Sequence, residues 1–550
     1  MAKCYDNFSR EELIELLNKQ DKELALKKYG LVWDSEKEPE KVVLDCEKNL
    51  PILQRISEKE IKTDDSDYNI LIEGDNFHAL SVLNYTHKGK IDVIYIDPPY
   101  NTGNKDFKYN DSYVDKEDGY RHSKWLNFME KRLSLAKELL SENGVMFISI
   151  DEHEFANLKL LCDKIFNENN VECIIWRKNA KQGNTKIIRR IRFTHEYLIV
   201  VYKNKAKTTF GKVKLLPNWK GKKTNADRDP RGNWESGVIC RNEENSKIDS
   251  KNYYSITLPS GRIITREFYF DKEQFKKYQD DNRIYFPKGG DGIPRLKIFE
   301  NEEQKYFVDS VIDEMGTFTN AKEQIKELFG RDVFDTPKPL KMIKEILRIT
   351  TKKDSTILDF MAGSGTTADA IIQLNKEDAG KRKFILCTNN ENNICTEVCY
   401  PRITKVINGY NKNGNGEYIE GLGGNLQYFK TDFIKNSENT EQLKVNLTYK
   451  CTEMLCLKEN IYNLKKEKDD YKIFESNCKD KYLCVYYNFI NDSFEEFIDT
   501  LKQIDGEKII YMFSMDDNIN NELFEDIDNF KIETIPQKIL DIYKKIIKEK

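Results

Sequence analysis

The chain is poor in the residues that build metal sites and has no long apolar run. It carries 5 histidines in 550 residues. Its 12 cysteines include no C-x-x-C pair, and the nearest approaches, Cys395/Cys399 and Cys451/Cys456, have no histidine beside them. A structural zinc site needs such ligands at short, defined spacings, so no metal site is expected and the cysteines read as free, buried thiols. No apolar run approaches the roughly 18 residues needed to cross a bilayer. With 33% charged residues and a mean hydropathy of −0.70, a membrane protein is excluded. The start, Met1-Ala2-Lys3-Cys4-Tyr5-Asp6, lacks a signal peptide's apolar core, which leads to the expectation of a cytoplasmic protein, and richness in Lys, Asn and Ile suggests an AT-rich bacterial genome. Neither G-x-x-x-x-G-K-[ST] nor G-x-G-x-x-G occurs, so ATP hydrolysis by this chain is not expected.

The net charge of −4 conceals a strong asymmetry. From Trp176 to Trp234 there are 17 Lys or Arg against 3 Asp or Glu, whereas Asp516 to Asp528 holds six acidic residues and no basic one. A concentrated basic stretch is a better sign of a nucleic-acid face than the total charge.

The most informative segment is Asp97-Pro98-Pro99-Tyr100, which ends the β-branched run Ile91-Asp92-Val93-Ile94-Tyr95-Ile96. Two prolines cannot continue a ladder and hold φ near −65°, so a buried strand empties into a stiff loop. That loop offers a carboxylate, a carbonyl and an aromatic face, the set needed to accept both N–H groups of a base amine and stack on its ring. The plainer alternative is a tyrosine-capped turn. Asn69 to Glu73 reads as another strand, after which Asp75 either meets a ligand at the strand's C-terminal end or caps the following helix. A third strand, Ser355 to Phe360, leads into Met361-Ala362-Gly363-Ser364-Gly365-Thr366-Thr367 and a helix, the context a ligand-cradling glycine loop requires.

Strands alternating with amphipathic helices predict a mostly parallel α/β sheet. Residues 1–65 read as a helical arm opened by the capping box Ser9-Arg10-Glu11-Glu12, either for docking or as a plain surface helix. Residues 66–202 and 331–427 read as two parts of one core, interrupted by an inserted, Lys-rich, turn-rich domain at 203–330. Residues 428–550 form a C-terminal α+β region.

In this order the motifs resemble those of amino-methylating DNA methyltransferases of the β class, and more closely the modification (Mod) subunits of Type III restriction–modification systems. The residues carrying the resemblance are Tyr29 to Trp33, Glu73-Gly74-Asp75-Asn76, Asp97 to Gly103, Ser149 to Glu154, Asp229-Pro230-Arg231-Gly232, Lys338-Pro339 and Asp359 to Thr367. The resemblance implies a Rossmann-like, S-adenosylmethionine-dependent methyltransferase sheet in circularly permuted motif order, with the insert as target-recognition domain and residues 428–550 as an interaction domain. It implies adenine-N6 methylation of double-stranded DNA with Asp97, Pro98, Pro99 and Tyr100 as the catalytic loop. Cytosine-N4, RNA or protein-amide methylation, and a mainly DNA-binding specificity subunit, are the alternatives. C5 methylation of cytosine is excluded by the lack of any Pro-Cys pair. S-adenosylmethionine would be held by Asp75, Asn76, Asn101, Thr102, Lys338, Pro339, Asp359, Phe360, Ala362, Gly363, Ser364, Gly365, Thr366 and Thr367. Where the family commonly has a ribose-holding acid this chain has Thr388, leaving Glu391 or a nearby asparagine as the substitute. Phosphate contacts are expected from Arg177, Lys178, Lys181, Arg189, Arg190, Arg192, Lys222, Lys223, Arg228 and Arg231. A homodimer that joins a separate restriction subunit supplying ATPase and nuclease is the implied assembly.

Overall fold

A computed structural model describes residues 39–178, 193–210, 213–215, 224–225, 227–299, 304–306, 309–312, 315–412, 416–436, 440–487, 493–515, 517–519 and 521–548, with 9–10, 13–14, 17–18 and 33 before them. The chain divides into a unit of residues 1–211 with 309–550 and a unit of residues 212–308.

The first unit is built on a ten-stranded sheet in the order 49–55, 425–435, 68–73, 383–388, 356–359, 91–96, 140–150, 195–202, 171–177, 311–312. The six strands from 425–435 to 140–150 pair in parallel, while 49–55 and 195–202 run against their neighbours. The central parallel strands 68–73, 383–388, 356–359 and 91–96 are almost wholly buried, and Tyr68–Glu73 is buried at every position. This is what coverage of both faces demands and why these runs are apolar without alternation. Helices Asn76–Thr86, Arg121–Leu139 and Phe155–Phe166 share one core on the sheet. Helices Leu340–Thr350, Thr366–Asp378 and Tyr400–Asn408 pack together as a second group.

Strand Thr356–Asp359 lies between Lys383–Thr388, its successor in the chain, and Ile91–Ile96, which comes far earlier. The chain therefore leaves this point in opposite directions, and in sheets of this kind ligands bind outside the C-terminal ends of the two strands.

Several boundaries differ from those read in the sequence. The inserted unit is 212–308 rather than 203–330, because Val311–Ile312 returns to the main sheet beside Ile175 and Trp176. The proposed break at 428 falls inside Asn425–Lys435, a main-sheet strand between 49–55 and 68–73. Within the supposed helical arm, Asn49–Arg55 is the edge strand of that sheet. Glu11 and Glu12 of the capping box, and Tyr29 to Val32, lie outside the described residues.

The C-terminal region forms a five-stranded sheet of 463–467, 471–475, 481–486, 507–513 and 530–535. Its helices at Thr452–Glu459 and Gln537–Lys548 pack on Asn76–Thr86, so it shares the main core. The second unit contains a three-stranded sheet of 234–238, 295–299 and 284–285 and a hairpin of 253–257 with 263–267. Its small core gathers Ile239, Phe268, Phe275 and Ile284. Among the described residues every cysteine is a free thiol, and Cys478 is the exposed one. Among the same residues no helix is long and apolar enough to cross a membrane.

One buried charge ties the region before the sheet to its core. Arg132 is 1% exposed and donates to both oxygens of Glu40, at 2.9 and 2.7 Å, and to Asn76 Oδ1 at 2.5 Å, while its guanidinium lies 3.7 Å from the Phe128 ring centroid. Removing one member of a buried ion pair strands the other. Arg132→Met should therefore lower the unfolding free energy by about 3–5 kcal/mol, measured by urea denaturation. Adding Glu40→Leu should restore much of it. A loss in the single variant no larger than an exposed pair gives, under about 1 kcal/mol, would contradict this role.

Candidate active site

The Asp97-Pro98-Pro99-Tyr100 loop leaves strand Ile91–Ile96 at its C-terminal end and is fixed from below. The Trp125 indole, fully buried in helix Arg121–Leu139, donates to the Pro99 carbonyl at 2.7 Å. Asn101 follows with φ +56°, a left-handed conformation that asparagine tolerates better than most residues. Its buried amide donates to Glu154 Oε1 at 2.5 Å and to the Arg121 carbonyl at 3.3 Å. Glu154, itself fully buried, also takes Asn157 and the His122 ring at 2.6 Å each. Asn101, expected at the cofactor, is thus turned into the protein to hold the loop. Thr102 donates its backbone N–H to Asp106.

Four side chains converge above the loop. Lys338 Nζ lies 2.9 Å from Asp97 Oδ1 and 3.8 Å from Glu196 Oε2. The Tyr100 hydroxyl donates to Glu196 Oε2 at 3.1 Å, and Lys178 Nζ donates to Glu196 Oε1 at 3.3 Å. Lys338 stands 4.7 Å from the Tyr100 ring centroid and 5.2 Å from that of Phe318. Burial works against the Lys338 charge, but Asp97 and Glu196 outweigh it and keep the ammonium protonated above its ordinary range. Burial pushes the Asp97 carboxyl up, with Lys338 opposing.

The glycine loop follows the neighbouring strand. Gly363 and Gly365 have φ of +50° and +76°. A Cβ on Gly363 would come within 3.3 Å of the Phe334 ring, and one on Gly365 within 3.1 Å of Cys399 Sγ. The loop opens helix Thr366–Asp378. Asp359 accepts from the Met361 N–H at 3.0 Å and from the Thr367 hydroxyl at 2.6 Å, and Ala362 N–H donates to the Cys387 carbonyl. Ser364 and Thr366 both accept from Arg402, at 3.4 and 2.8 Å. Arg402, 1% exposed and paired with Asp369 at 2.9 Å, is an anchor that sequence reasoning did not find. Phe360 is buried, and Pro339 precedes helix Leu340–Thr350.

A family model described as DNA methylase matches residues 91–398, more than half of the chain and including both loops. The chain belongs to the DNA methylase family.

Relatives of this methylase include the StyLTI Mod subunit of a Type III restriction-modification enzyme from Salmonella typhimurium, 34% identical over 62% of this chain and 56% of that one. The EcoPI Mod subunit of Escherichia phage P1 is 27% identical over 70% of this chain and 68% of that one. The Type II methyltransferase M.KpnI of Klebsiella pneumoniae is 31% identical over 61% of this chain and 84% of that one. The chain spans little more than half the length of the StyLTI subunit.

Other expected site residues in the methylase lie as follows. Asp75 caps helix Asn76–Thr86, accepting from the Phe77 N–H at 2.7 Å, yet its carboxylate stays 31% exposed. Glu391 is paired with Lys108 at 3.1 Å. Thr388 is in register with Glu73, a carboxylate occupied by Tyr428 at 2.5 Å and Lys430 at 3.3 Å. Of the expected phosphate contacts, Lys178 is spent on Glu196, and Arg231 donates to Asp229 and Asp281 inside the second unit. Each of these two cations therefore has a carboxylate beside it. Arg177 ends strand Val171–Arg177, and Arg228 stands in a turn with φ +54°. Lys181, Arg189, Arg190, Arg192, Lys222 and Lys223 lie outside the described residues.

Burial pushes the Asp359 carboxyl up to about 7, against the opposing hydrogen bonds from Thr367 and Met361. A carboxyl raised on folding stabilises the protein while protonated; that contribution is full below its ordinary value of 3.8 and is lost as pH rises through about 7. Asp359→Asn should therefore flatten the decline in stability over this range, read from urea midpoints. A decline equal to that of the unaltered chain would contradict the assignment.

Proposed function

We propose that the chain transfers a methyl group from S-adenosylmethionine to N6 of adenine in double-stranded DNA, as the modification and specificity subunit of a Type III restriction–modification system. The observation carrying this reading is that Asp97 to Tyr100 and Asp359 to Thr367 follow adjacent parallel strands, which puts both at the C-terminal edge where such sheets take ligands.

The glycine loop fits the cofactor. Two backbone positions that a side chain would strain lie between a buried carboxyl and a helix N-terminus, a setting suited to a ligand's polar groups. Asp359, Phe360, Ala362, Gly363 and Gly365 would line it, with the exposed edge of Asp75 toward its adenine and Lys338-Pro339 toward its methionine end. The cofactor supplies an electrophilic methyl group on a sulfonium.

The chain's own residues position the acceptor. An amine within the duplex is out of reach, so the target base is extruded. Tyr100 stacks on it, and the Asp97 carboxylate with the Pro98 carbonyl accepts the two amine N–H groups, directing the nitrogen lone pair at the methyl. The N–C bond forms as the S–C bond breaks to leave a neutral thioether, and the proton the amine sheds leaves through the Asp97 carboxylate to solvent. Rate enhancement comes from orientation and fixed charge, with no covalent enzyme intermediate. The basic stretch from Arg177 to Arg231 supplies phosphate contacts, making affinity fall with salt. We assign the protein to the bacterial cytoplasm, as a homodimer that joins a separate restriction subunit.

Transfer of labelled methyl from S-adenosylmethionine to unmethylated genomic DNA, followed by nucleoside analysis, tests the reading. The expected product is N6-methyladenine. Tyr100→Ala should lower transfer by roughly 100-fold while retaining DNA. N4-methylcytosine would overturn the base assignment, and absence of any transfer would overturn the enzymatic reading.

A further inference from the structure

Glu196 is the one acid in strand His195–Tyr202, apolar from Tyr197 on, and is 4% exposed. The strand is two places from Ile91–Ile96 in the sheet, so its carboxylate reaches the Asp97 loop from the side. One of its oxygens accepts from Tyr100 and lies 3.8 Å from Lys338, and the other accepts from Lys178. Lys338 is therefore shared between two carboxylates, with Asp97 nearer at 2.9 Å. It also stands over the Tyr100 ring, where the reading above puts the target base.

This arrangement raises a conflict. A base amine approaching Asp97 finds Lys338 Nζ already on Oδ1, and displacing a buried ammonium with no other carboxylate to turn to would cost several kcal/mol. Glu196 removes the conflict, because the Lys338 ammonium is already ion-paired with it at 3.8 Å and keeps that partner when the amine takes Asp97. The same carboxylate holds the phenol oxygen of Tyr100 and hence the position of its ring.

We infer that Glu196 is a positioning residue for methyl transfer, which sets the Tyr100 ring through its hydroxyl and receives the Lys338 ammonium when the base amine takes Asp97. The inference rests on the proposed base-methylating reading of Asp97 to Tyr100. It assigns Lys338 a working role at the acceptor amine, beyond bordering the cofactor.

The test compares the full chain with Glu196→Gln and Tyr100→Phe, measuring kcat, affinity for S-adenosylhomocysteine and for DNA, and melting temperature. Glu196→Gln keeps an acceptor for the phenol but removes the charge that receives Lys338. Its kcat should fall roughly 10- to 100-fold, with both affinities within about twofold of the unaltered chain. Tyr100→Phe keeps the ring and loses its tether, and should show a smaller kcat loss of the same kind. In the Tyr100→Phe background, Glu196→Gln should still lower kcat, because the lysine loses its second seat.

Unaltered kcat in Glu196→Gln overturns the inference. So does a loss of affinity and melting temperature in parallel with kcat, which is the signature of a purely structural acid. If the unaltered chain transfers no methyl group, the underlying reading fails and takes this inference with it; transfer by that chain with no effect of Glu196→Gln refutes the inference alone.

Discussion

The parallel pairing of Thr356–Asp359 with Ile91–Ile96 is the constraint on which the rest depends. Ile357 faces Val93 and Leu358 faces Ile94, joining segments separated by the whole inserted unit. Parallel strands place their C-terminal ends together, so the pairing alone brings a carboxylate–proline–aromatic loop beside a glycine loop. Because the chain leaves the two strands in opposite directions, both loops sit where sheets of this kind take ligands. Everything else at the site holds this geometry still: Trp125 and Glu154 beneath the first loop, Arg402 beneath the second.

The insertion follows from the same constraint. The sheet is complete on either side of residues 212–308, with His195–Tyr202 before them and Val311–Ile312 after them both hydrogen-bonded into its far edge. A separate unit can therefore be accommodated there without disturbing the strands that carry the site. Its internal ion pairs serve its own fold: Lys297, 2% exposed, pairs with Asp227 and Asp229 while Arg231 braces Asp229. The Asp229-Pro230-Arg231-Gly232 motif is thus held together by charges that face one another.

The sheet and its two loops were legible in the sequence because their signals are local. Ile91 to Ile96 followed by two prolines, and Ser355 to Phe360 followed by two glycines, each announce a strand, a turn and an exposed end within a dozen residues. What was illegible depends on partners distant in the chain. Asn425–Lys435 enters the main sheet only because 49–55 and 68–73 flank it, and nothing in its own pattern says so. The resemblance puts Lys338 at the cofactor's methionine end but does not foretell its pairing with Asp97; the acid it shares, Glu196, carried one overlooked signal, a lone carboxylate just before the apolar run Tyr197 to Tyr202. Asn101 had the reverse fate. A polar residue beside the catalytic motif suggested a ligand contact, but its left-handed backbone turns the amide onto buried Glu154.

The most direct measurement of whether the two loops form one reaction centre is a crystal structure of the chain with a non-reactive S-adenosylmethionine analogue and duplex DNA. The expected result is the analogue against Gly363 and Gly365, with an extruded adenine on Tyr100 and its amine on Asp97 and the Pro98 carbonyl. An analogue bound away from the glycine loop, or a specifically bound duplex with every base stacked inside it, would contradict the shared centre.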